Sequence, residues 1–477
     1  MITLSDSEHA LPLYRQLYRA LQREIQSGQL SPGSRLPSKR SLADSLCISV
    51  NTVDAAYAQL EAEGFVEACP RRGYFVLDTG SIPLLSESAD GRLEASEGAG
   101  NPGTERSATP QEVPDVLVDF SPSGMARKQF PFSTWKKLMR TCLNDYDEAL
   151  LLRTPPQGDP GLRQQVADYL YRARNVHCTP EQIIIGAGTD NLLLILAYIL
   201  DSSYTLAFEN PLYNQAHRLF ARLGHPIRPV AVDRSGPDLS QLPSDDHCVI
   251  YTTPSHQYPL GFAMPIGRRA ALLNWSAEHP DRYIIEDDYD SEFRYETRPI
   301  PSLQSIDTAG RVIYLGTFSR SIAPALRISY MVLPEPLLSR YRHKYRGYSS
   351  TVSGFEQTVL REFIASGSFE THVNRMRVYY RARRSCLLSA LDALSPQPEI
   401  LGVPAGHHIT MTMKNGMQES ELVASALKSG VKVYPISPYF LGDVPAEYHS
   451  TVLLGYGGLE DHQIRHGISR LVSAWNR

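Results

Sequence analysis

The stretch Tyr314-Leu-Gly-Thr-Phe-Ser-Arg-Ser-Ile-Ala-Pro-Ala-Leu-Arg-Ile-Ser-Tyr330 joins an apolar segment to a cluster of hydroxyl and guanidinium side chains. The apolar segment, Val312-Ile-Tyr-Leu315, has the length and composition of a buried strand. The polar residues that follow it include Thr317, Ser319 and Arg320. A strand that ends in such a cluster is typical of a mostly parallel sheet, which places ligand groups at the carboxyl ends of its strands.

The same pattern recurs upstream of this stretch. Residues 182–185, 204–208, 248–251 and 283–285 are apolar runs that each end in a polar cluster. Continuous apolar strands bounded in this way indicate a sheet that is buried on both faces. The sequence therefore predicts an α/β domain with a mostly parallel central sheet over residues 117–477.

Composition narrows the class of protein. A chain of 477 residues is too long for one hydrophobic core, so two or three domains are expected. There is no apolar run of 18 residues and no signal-like N-terminus, which predicts a cytoplasmic protein without a membrane partner. The six cysteines form no CxxC pair, which argues against a zinc site. The net charge of -4 does not indicate nucleic-acid binding, so that function must rest on local features.

Three zones are predicted along the chain. Residues 1–78 alternate helical patterns with turn signals, and residues 79–116 are rich in Gly, Ser, Pro and Glu. The second zone has the composition of a mobile linker. Residues 117–477 form the third zone.

The first zone has the pattern of three helices followed by a two-stranded hairpin. A first helix is predicted over about residues 13–27, and Ser38 and Ser49 are predicted to cap the second and third helices. The apolar positions of the three helices are Leu13, Leu17, Leu21 and Ile25; Leu42, Ala43 and Leu46; and Val50, Val53, Tyr57 and Leu60. Residues 64–77 alternate like a hairpin with Arg71-Arg72-Gly73 at its tip.

This arrangement predicts a winged helix-turn-helix that binds double-stranded DNA. The polar start of the third helix would meet base edges, while the second helix and the hairpin would meet phosphates. The alternative is a three-helix interaction module, since residues 1–78 hold eight Lys and Arg against nine Asp and Glu. The clustering of the basic residues favours the interpretation that this zone binds DNA. The candidate contacts are Ser38, Lys39, Arg40, Ser49, Asn51, Thr52, Arg71, Arg72 and Gly73.

The third zone contains further polar clusters at predicted strand ends. Gly186-Ala-Gly-Thr-Asp190 precedes a helix, and its Gly188, Thr189 and Asp190 could form an anion cradle or only a tight turn. Tyr213 follows another run, and Thr253-Pro-Ser-His-Gln-Tyr-Pro-Leu-Gly261 contains His256 and Gln257. Each could be an ordinary structural residue.

One further polar cluster is acidic. Ile285-Glu-Asp-Asp-Tyr-Asp-Ser-Glu-Phe-Arg-Tyr295 includes Asp287 and Tyr289. A calcium loop is excluded because no glycine follows at the required offset. A solvated loop remains the alternative to a ligand site.

In this order the motifs resemble two known families. Leu36-Pro-Ser-Lys-Arg-Ser-Leu-Ala43, Asn51-Thr-Val53 and Arg72-Gly-Tyr74 resemble the GntR winged helix-turn-helix, and the third zone resembles a fold-type-I aminotransferase with a smaller α+β subdomain. Together they resemble the MocR/GabR regulators over nearly the whole chain. This resemblance implies a homodimer with a small-molecule effector and a pocket for pyridoxal 5'-phosphate.

The resemblance also implies roles for the candidate residues. Asp287 would pair with the pyridine nitrogen and Tyr289 with the ring oxygen, while Tyr213 would stack on the ring and His256 and Gln257 would lie near it. The phosphate would be held by the residues implied as its clamp, which are Gly188, Thr189, Asp190, Thr317, Ser319 and Arg327.

Two departures argue against catalysis. The resemblance implies that Arg320 occupies the position of the lysine that bonds to the cofactor, and a guanidinium stays protonated and is not a nucleophile. Lys344, in a separate helical segment, is a weak surrogate. No arginine lies between Arg384 and Arg465 to hold a substrate carboxylate, and Asn214 and Gln215 stand where GabR-type chains carry another arginine.

The sequence thus predicts a catalytically inactive transcription regulator that holds pyridoxal phosphate, or a phosphorylated or amino relative, without a covalent bond. A working aminotransferase with an added DNA-binding domain and a ligand-free dimerisation scaffold are the alternatives. A dinucleotide-binding oxidoreductase is remote, because the segment 186–188 lacks the rest of that fingerprint.

Overall fold

A computed structural model describes residues 12–69, 72–78, 116–144, 148–296 and 300–476 of the chain. The predicted linker over residues 79–116 lies outside the described residues, apart from residue 116. Within the described ranges, no helix combines the length and the apolar character needed to span a membrane.

The N-terminal part is a winged helix-turn-helix, as predicted. Its elements are α1 (Leu13–Gln26), α2 (Lys39–Leu46), α3 (Val50–Ala62), β1 (Val66–Cys69) and β2 (Gly73–Val76). The two strands are antiparallel, with Val66 opposite Val76 and Cys69 opposite Gly73.

One predicted core position of this unit is wrong. Val53, Tyr57 and Leu60 of α3 are fully buried, but Val50 is 42% exposed. Val50 is the first residue of α3. The helical spacing therefore gave the correct face of the helix, while the core begins one turn further along.

The C-terminal part alternates strands and helices. Its strands are β3 (Val118–Asp119), β4 (Ile183–Gly186), β5 (Thr205–Asn210), β6 (Ile227–Asp233), β7 (Gly236–Pro237), β8 (Cys248–Thr252), β9 (Arg282–Asp288), β10 (Val312–Thr317), β11 (Ser329–Val332), β12 (Glu399–Leu401), β13 (His408–Thr412), β14 (Val431–Lys432), β15 (Tyr434–Pro435) and β16 (Thr451–Gly455). Its helices are α4 (Phe132–Asn144), α5 (Pro160–Arg174), α6 (Thr189–Ile199), α7 (Asn214–Arg222), α8 (Ile266–Ala277), α9 (Glu335–Lys344), α10 (Gly354–Ala365), α11 (Ser368–Leu391), α12 (Glu419–Lys428) and α13 (Asp461–Trp475).

Short 3-10 helices connect several of these elements. They are Arg127–Gln129, Glu148–Leu151, Pro180–Gln182, Leu239–Gln241, Gln304–Ile306, Pro324–Leu326, Ser437–Tyr439 and Ala446–Tyr448.

The large sheet has the strand order β4-β11-β10-β9-β8-β5-β6-β7 among the described residues. Neighbours from β10 through β9, β8 and β5 to β6 run parallel. The strand β11 is antiparallel to both β10 and β4, so β4 points the same way as the parallel strands. All five predicted runs are strands, and their carboxyl ends meet at one edge of the sheet.

The smaller α+β part follows the large sheet in the chain. Its antiparallel sheet has the order β12-β13-β16-β15. The helices α11, α12 and α13 share one core with it, in which Tyr380, Leu422 and Trp475 are fully buried. The short strand β3 pairs in parallel with β14, so residues at the start of the C-terminal part are tied to this subdomain.

Candidate functional site

Two of the predicted DNA contacts act as helix caps. The hydroxyl of Ser38 accepts a hydrogen bond from the backbone N–H of Ser41 at 3.1 Å, and that of Ser49 accepts one from Thr52 at 3.1 Å. The two hydroxyls of Ser49 and Thr52 are also 2.8 Å apart. These caps start α2 and α3, because the first N–H groups of a helix need such acceptors.

The exposed start of α3 presents Asn51 beside the partly buried Thr52, as predicted. Lys39 at the start of α2 is engaged by the Asp54 carboxylate and lies 4.9 Å from the ring centre of Tyr74. Arg40 is exposed next to it. Arg40 is therefore better placed than Lys39 to meet a phosphate.

Two of the three predicted wing contacts, Arg72 and Gly73, lie within the described residues. Arg72 is exposed and stacks over the ring of Phe75 at 5.3 Å, while Arg71 lies outside the described residues. Gly73 has a φ of +104°, and a Cβ there would lie 3.1 Å from Arg35 Nε. The positive φ favours a glycine at this turn.

A pocket of about 230 Å³ lies at the carboxyl edge of the large sheet. Most predicted ligand residues line it, namely Thr189, Asp190, Tyr213, Asp287, Tyr289, Thr317, Ser319, Arg320 and Arg327. They lie at the carboxyl ends of β4, β5, β9 and β10 or shortly after them, which explains why residues so distant in the chain meet here.

One end of the pocket can hold an anion. Gly188 has a φ of +90° and precedes α6, and a Cβ on it would lie 2.5 Å from Arg327 Nη2. The buried hydroxyl of Ser319 has no hydrogen-bond partner within the described ranges. The N–H groups at the start of α6, this hydroxyl and the Arg327 guanidinium together form a suitable phosphate site.

Two other members of this anion site already have partners. Thr317 Oγ1 accepts hydrogen bonds from Ser319 N at 3.1 Å and from Ser329 Oγ at 2.7 Å. The Asp190 carboxylate is 3.2 Å from Arg327 Nη2 in a half-exposed ion pair. Thr317 and Asp190 therefore position the Ser319 turn and the Arg327 side chain.

A buried carboxylate lies elsewhere in the pocket. Burial raises the pKa of Asp287 to about 7, although the Tyr251 hydroxyl that donates to it acts in the opposite direction. Nearby Asp288 and Asp290 raise this pKa further. A cation bound against Asp287 would favour its ionised form. The sequence did not point to Tyr251, which lies on the neighbouring strand β8.

His256 and Gln257 do not line the pocket but contact residues that do, namely Tyr289 and Tyr258. His256 Nδ1 is 3.0 Å from both the Tyr289 hydroxyl and the Asp290 carboxylate. Gln257 Nε2 donates to the carbonyl oxygens of Pro211 and Tyr258 at 3.0 and 2.9 Å. These two side chains orient the residues around the pocket.

The stacking candidate Tyr213 lines the pocket with its ring edge-on to Tyr258, at 6.2 Å between ring centres. Its hydroxyl donates to Gln215, which also lines the pocket. The sequence indicates Gln215 only as a position where GabR-type chains carry an arginine.

Arg320 Nη1 donates to the carbonyl oxygen of Pro122 at 3.1 Å. This contact brings the neighbouring segment 123–125 to the pocket wall. No local sequence pattern indicates this segment, because it lies almost 200 residues before Arg320 and outside the large sheet.

His407 is a second lining residue that sequence reasoning missed. Burial lowers its pKa to about 3, so the imidazole is neutral at physiological pH. Its buried Nε2 has no hydrogen-bond partner in the described parts of the chain. The pair His407-His408 was the only available signal in the sequence.

No described residue that lines the pocket carries a primary amine. The sequence has no lysine between Lys137 and Lys344. Lys344 lies on α9, where its Nζ donates to the Tyr198 carbonyl at 3.2 Å, away from the pocket lining.

The two parts of the chain match two protein families. Residues 13–76 match the family described as bacterial regulatory proteins, gntR family, and residues 122–470 match aminotransferase class I and II. An archaeal alanine:glyoxylate aminotransferase of known structure superposes with a TM-score of 0.68 at 25% identity, over 75% of this chain and 90% of that one.

Relatives resemble nearly the whole chain. The uncharacterized HTH-type transcriptional regulator YdeL of Bacillus subtilis is 40% identical over 98% of this chain and 97% of its own length. The probable rhizopine catabolism regulatory protein MocR of Rhizobium meliloti is 34% identical over 98% and 95%. The pyridoxine biosynthesis transcriptional regulator PdxR of Corynebacterium glutamicum is 32% identical over 96% and 95%. The chain therefore belongs to the family of MocR-type transcriptional regulators, in which a GntR DNA-binding domain is joined to a domain of the aminotransferase class I and II fold.

Proposed function

We propose that this regulator senses pyridoxal phosphate, or a phosphorylated or amino relative of it, by binding it reversibly in the aminotransferase-like pocket. The observation that carries the proposal is the anion site at the pocket end. Ser319 and Arg327 both line this end of the pocket, the Ser319 hydroxyl has no hydrogen-bond partner among the described residues, and the Arg327 guanidinium lies against Gly188 at the start of α6. The regulator would act in the cytoplasm, on a DNA operator.

The other lining residues suit the rest of such a ligand. Asp287 offers a carboxylate to a pyridinium nitrogen, and Tyr289 offers a hydroxyl to a ring oxygen. Tyr213 offers a ring face, and the Nε2 of His407, which has no partner among the described residues, offers one more hydrogen bond. Thr189, Ser319 and Arg327 would hold the phosphate.

When bound, pyridoxal phosphate supplies an aldehyde that primary amines attack and a ring that withdraws electrons. We infer that Arg320 occupies the position of the lysine whose amine attacks this aldehyde in aminotransferases. A guanidinium hydrogen-bonds through a planar fork but does not attack a carbonyl carbon. The absence of lysine from 138 to 343 leaves no substitute in this part of the chain. Binding would therefore be reversible and the domain catalytically inactive.

A relative supports this class of ligand. PdxR is named as a pyridoxine biosynthesis regulator, and it is 32% identical to this chain over 96% of this chain and 95% of its own length. The name concerns that protein alone. It makes a compound of the pyridoxine group the first one to test here.

We also propose that two chains form the working unit. Several large apolar side chains of the C-terminal part are exposed, namely Phe132, Met139, Leu143, Leu151, Leu152, Leu194, Tyr198, Tyr348 and Phe355. Arg153 contacts Ser349 and Gly347, and Tyr345 contacts both Tyr198 and Tyr348, so this surface extends from residues 151–153 to α6. An exposed apolar surface of this kind indicates a protein interface.

The proposal is tested by calorimetric titration of the purified protein with pyridoxal phosphate, pyridoxamine phosphate and pyridoxal. The two phosphorylated compounds should bind, and pyridoxal should bind at least about tenfold more weakly because it lacks the charged group. Arg327→Gln should weaken binding of the phosphorylated compounds by a similar factor. The matched control Arg218→Gln, at an exposed position on α7, should not.

Dialysis should remove the ligand completely from the wild-type protein. A failure of all three compounds to bind would favour the alternative that the domain is a ligand-free dimerisation scaffold. A ligand that survives dialysis and denaturation would mean that a covalent bond forms, and would overturn the role given to Arg320.

A further inference from the structure

The winged-helix unit is packed against the aminotransferase-like domain. The backbone N–H of Ile266 donates to the carbonyl oxygen of Glu63 at 2.9 Å, and Ile266 is buried in the hydrophobic core of the winged helix. Gly64 approaches Pro265 so closely that a Cβ on Gly64 would lie 2.8 Å from Pro265 Cβ. The contact includes both a hydrogen bond and buried apolar surface.

A second cavity lies beside this contact. Its volume is about 930 Å³, and it lies between α1 of the DNA-binding unit and the helices α5 and α11. None of the residues that line it also lines the ligand pocket at the sheet edge. Cavities of about 300–1,000 Å³ are the usual size for small-molecule sites. The cavity is thus large enough for a ligand of its own.

The wall formed by α1 is strongly basic. Arg15, Arg19 and Arg23 line the cavity at successive intervals of four residues, which places them on one helix face. The side chain of none of the three makes a hydrogen bond or an ion pair with another described residue. Burial lowers the pKa of His177 on the opposite wall, and the charge of Arg19 lowers it further, so Arg19 acts across the cavity.

The acidic residues of the cavity do not neutralise this charge. Glu370 is paired with Arg172 at 2.9 Å. Glu63 accepts hydrogen bonds from Tyr18 and Gln59 at 2.6 Å each, and burial raises its pKa. Burial also raises the pKa of Glu292 to about 7, so it is partly protonated at neutral pH. The three arginines of α1 therefore leave the cavity positively charged.

We propose that this interdomain cavity is a binding site for a small polyphosphate-bearing molecule, held by Arg15, Arg19 and Arg23 on one wall and Arg172 on the other. Arginine is suited to this role because its planar fork binds phosphate oxygens in pairs. The ligand touches both domains, so its binding free energy stabilises their packed arrangement. The site is a second input to the regulator and does not depend on the pocket at the sheet edge.

The test uses the full-length protein and inorganic tripolyphosphate, titrated by calorimetry at low ionic strength. The wild-type protein should bind about one equivalent per chain, and the dissociation constant should rise with salt because the contacts are between charges. The double variant Arg19→Gln with Arg23→Gln should bind at least about tenfold more weakly. Arg172→Gln should weaken binding from the opposite wall.

Two controls separate this site from others. Arg218→Gln with Arg228→Gln removes two exposed arginines elsewhere on the surface and should leave binding unchanged. Arg327→Gln disables the anion site of the other pocket and should also leave tripolyphosphate binding unchanged. Melting temperatures of all variants should match the wild type, which confirms that they are folded.

Three results would overturn the proposal. The first is no binding of tripolyphosphate to the wild-type protein. The second is an equal loss in the Arg218/Arg228 control or in Arg327→Gln, which would indicate nonspecific binding or binding at the other pocket. The third is displacement by duplex DNA together with an equal loss of DNA affinity in the Arg19/Arg23 variant, since these arginines would then contact the DNA backbone.

Discussion

At the scale of single residues, Arg320 is the most informative position to change. Its Nη1 is held by the carbonyl of Pro122, and it lines the pocket together with Asp287 and Tyr289. Arg320→Lys introduces the only primary amine among the described lining residues. We expect borohydride reduction with pyridoxal phosphate to fix about one ligand per chain to residue 320 in this variant and none in the wild type, as found by mass spectrometry.

Lys344 provides the control for that experiment. Adding Lys344→Arg to either protein should not change the labelling, because Lys344 lies away from the pocket lining. Labelling of the wild-type protein at Lys344 would contradict reversible binding. An Arg320→Lys variant that is folded but holds no ligand would show that the pocket no longer recognises this cofactor.

The burial of Glu292 predicts that the stability of the protein depends on pH. Burial and the neighbouring Asp288 carboxylate raise its pKa to about 7, and the Tyr169 hydroxyl donates to it at 3.2 Å. The pKa of Glu292 in the folded protein is above its value of about 4.3 in the unfolded chain. The contribution of Glu292 to the free energy of unfolding is therefore complete below about pH 4.3 and is lost as pH rises through about 7. Between pH 5 and 8 the wild type should lose on the order of 2 kcal/mol relative to Glu292→Gln, measured by urea unfolding. Parallel pH profiles for the two proteins would refute this.

At the scale of secondary-structure elements, α2 and α3 carry the prediction for DNA. Arg40 is exposed beside the engaged Lys39, and Asn51 is exposed at the start of α3. Arg40→Ala should weaken binding to all sequences and reduce the slope of log K against log salt by about 0.9. Asn51→Ala should cost ~1–3 kcal/mol at particular base pairs only. Gel shifts on matched operator variants would measure both, and unchanged affinity in both variants would remove these assignments.

The elements themselves were largely predictable from the sequence. Helix caps such as Ser49 and apolar runs such as Val312–Thr317 depend on neighbours in the chain, so their local pattern is sufficient. The partners of the site residues were harder to predict. Tyr251 meets Asp287 only because β8 and β9 are adjacent in the sheet, and Pro122 reaches Arg320 from outside that sheet. The contact of Glu63 with Ile266 depends on two domains packing together, which leaves no local signal.

At the scale of the whole molecule, the exposed apolar surface that extends from residues 151–153 to α6 predicts the oligomeric state. Leu151 and Leu152 are 78% and 72% exposed, and neither lies in the winged-helix unit. Burying one such side chain contributes ~1.5–3 kcal/mol, and a two-fold dimer would bury each of them twice. The wild type should therefore be a dimer at micromolar concentration in analytical ultracentrifugation.

Replacing both leucines should separate the two chains. In the Leu151→Asp, Leu152→Asp variant, four carboxylates would have to be buried in the dimer, so we expect a folded monomer. The control is Val378→Asp, which changes an apolar side chain that is 59% exposed on α11 and should leave the dimer intact. A monomer has one DNA-binding domain and contacts one half-site. The monomeric variant should therefore bind an operator with two half-sites no more tightly than a single half-site, whereas the control should still bind the paired operator more tightly. A variant that stays dimeric would place the interface elsewhere, and a wild-type monomer would rule out the dimer.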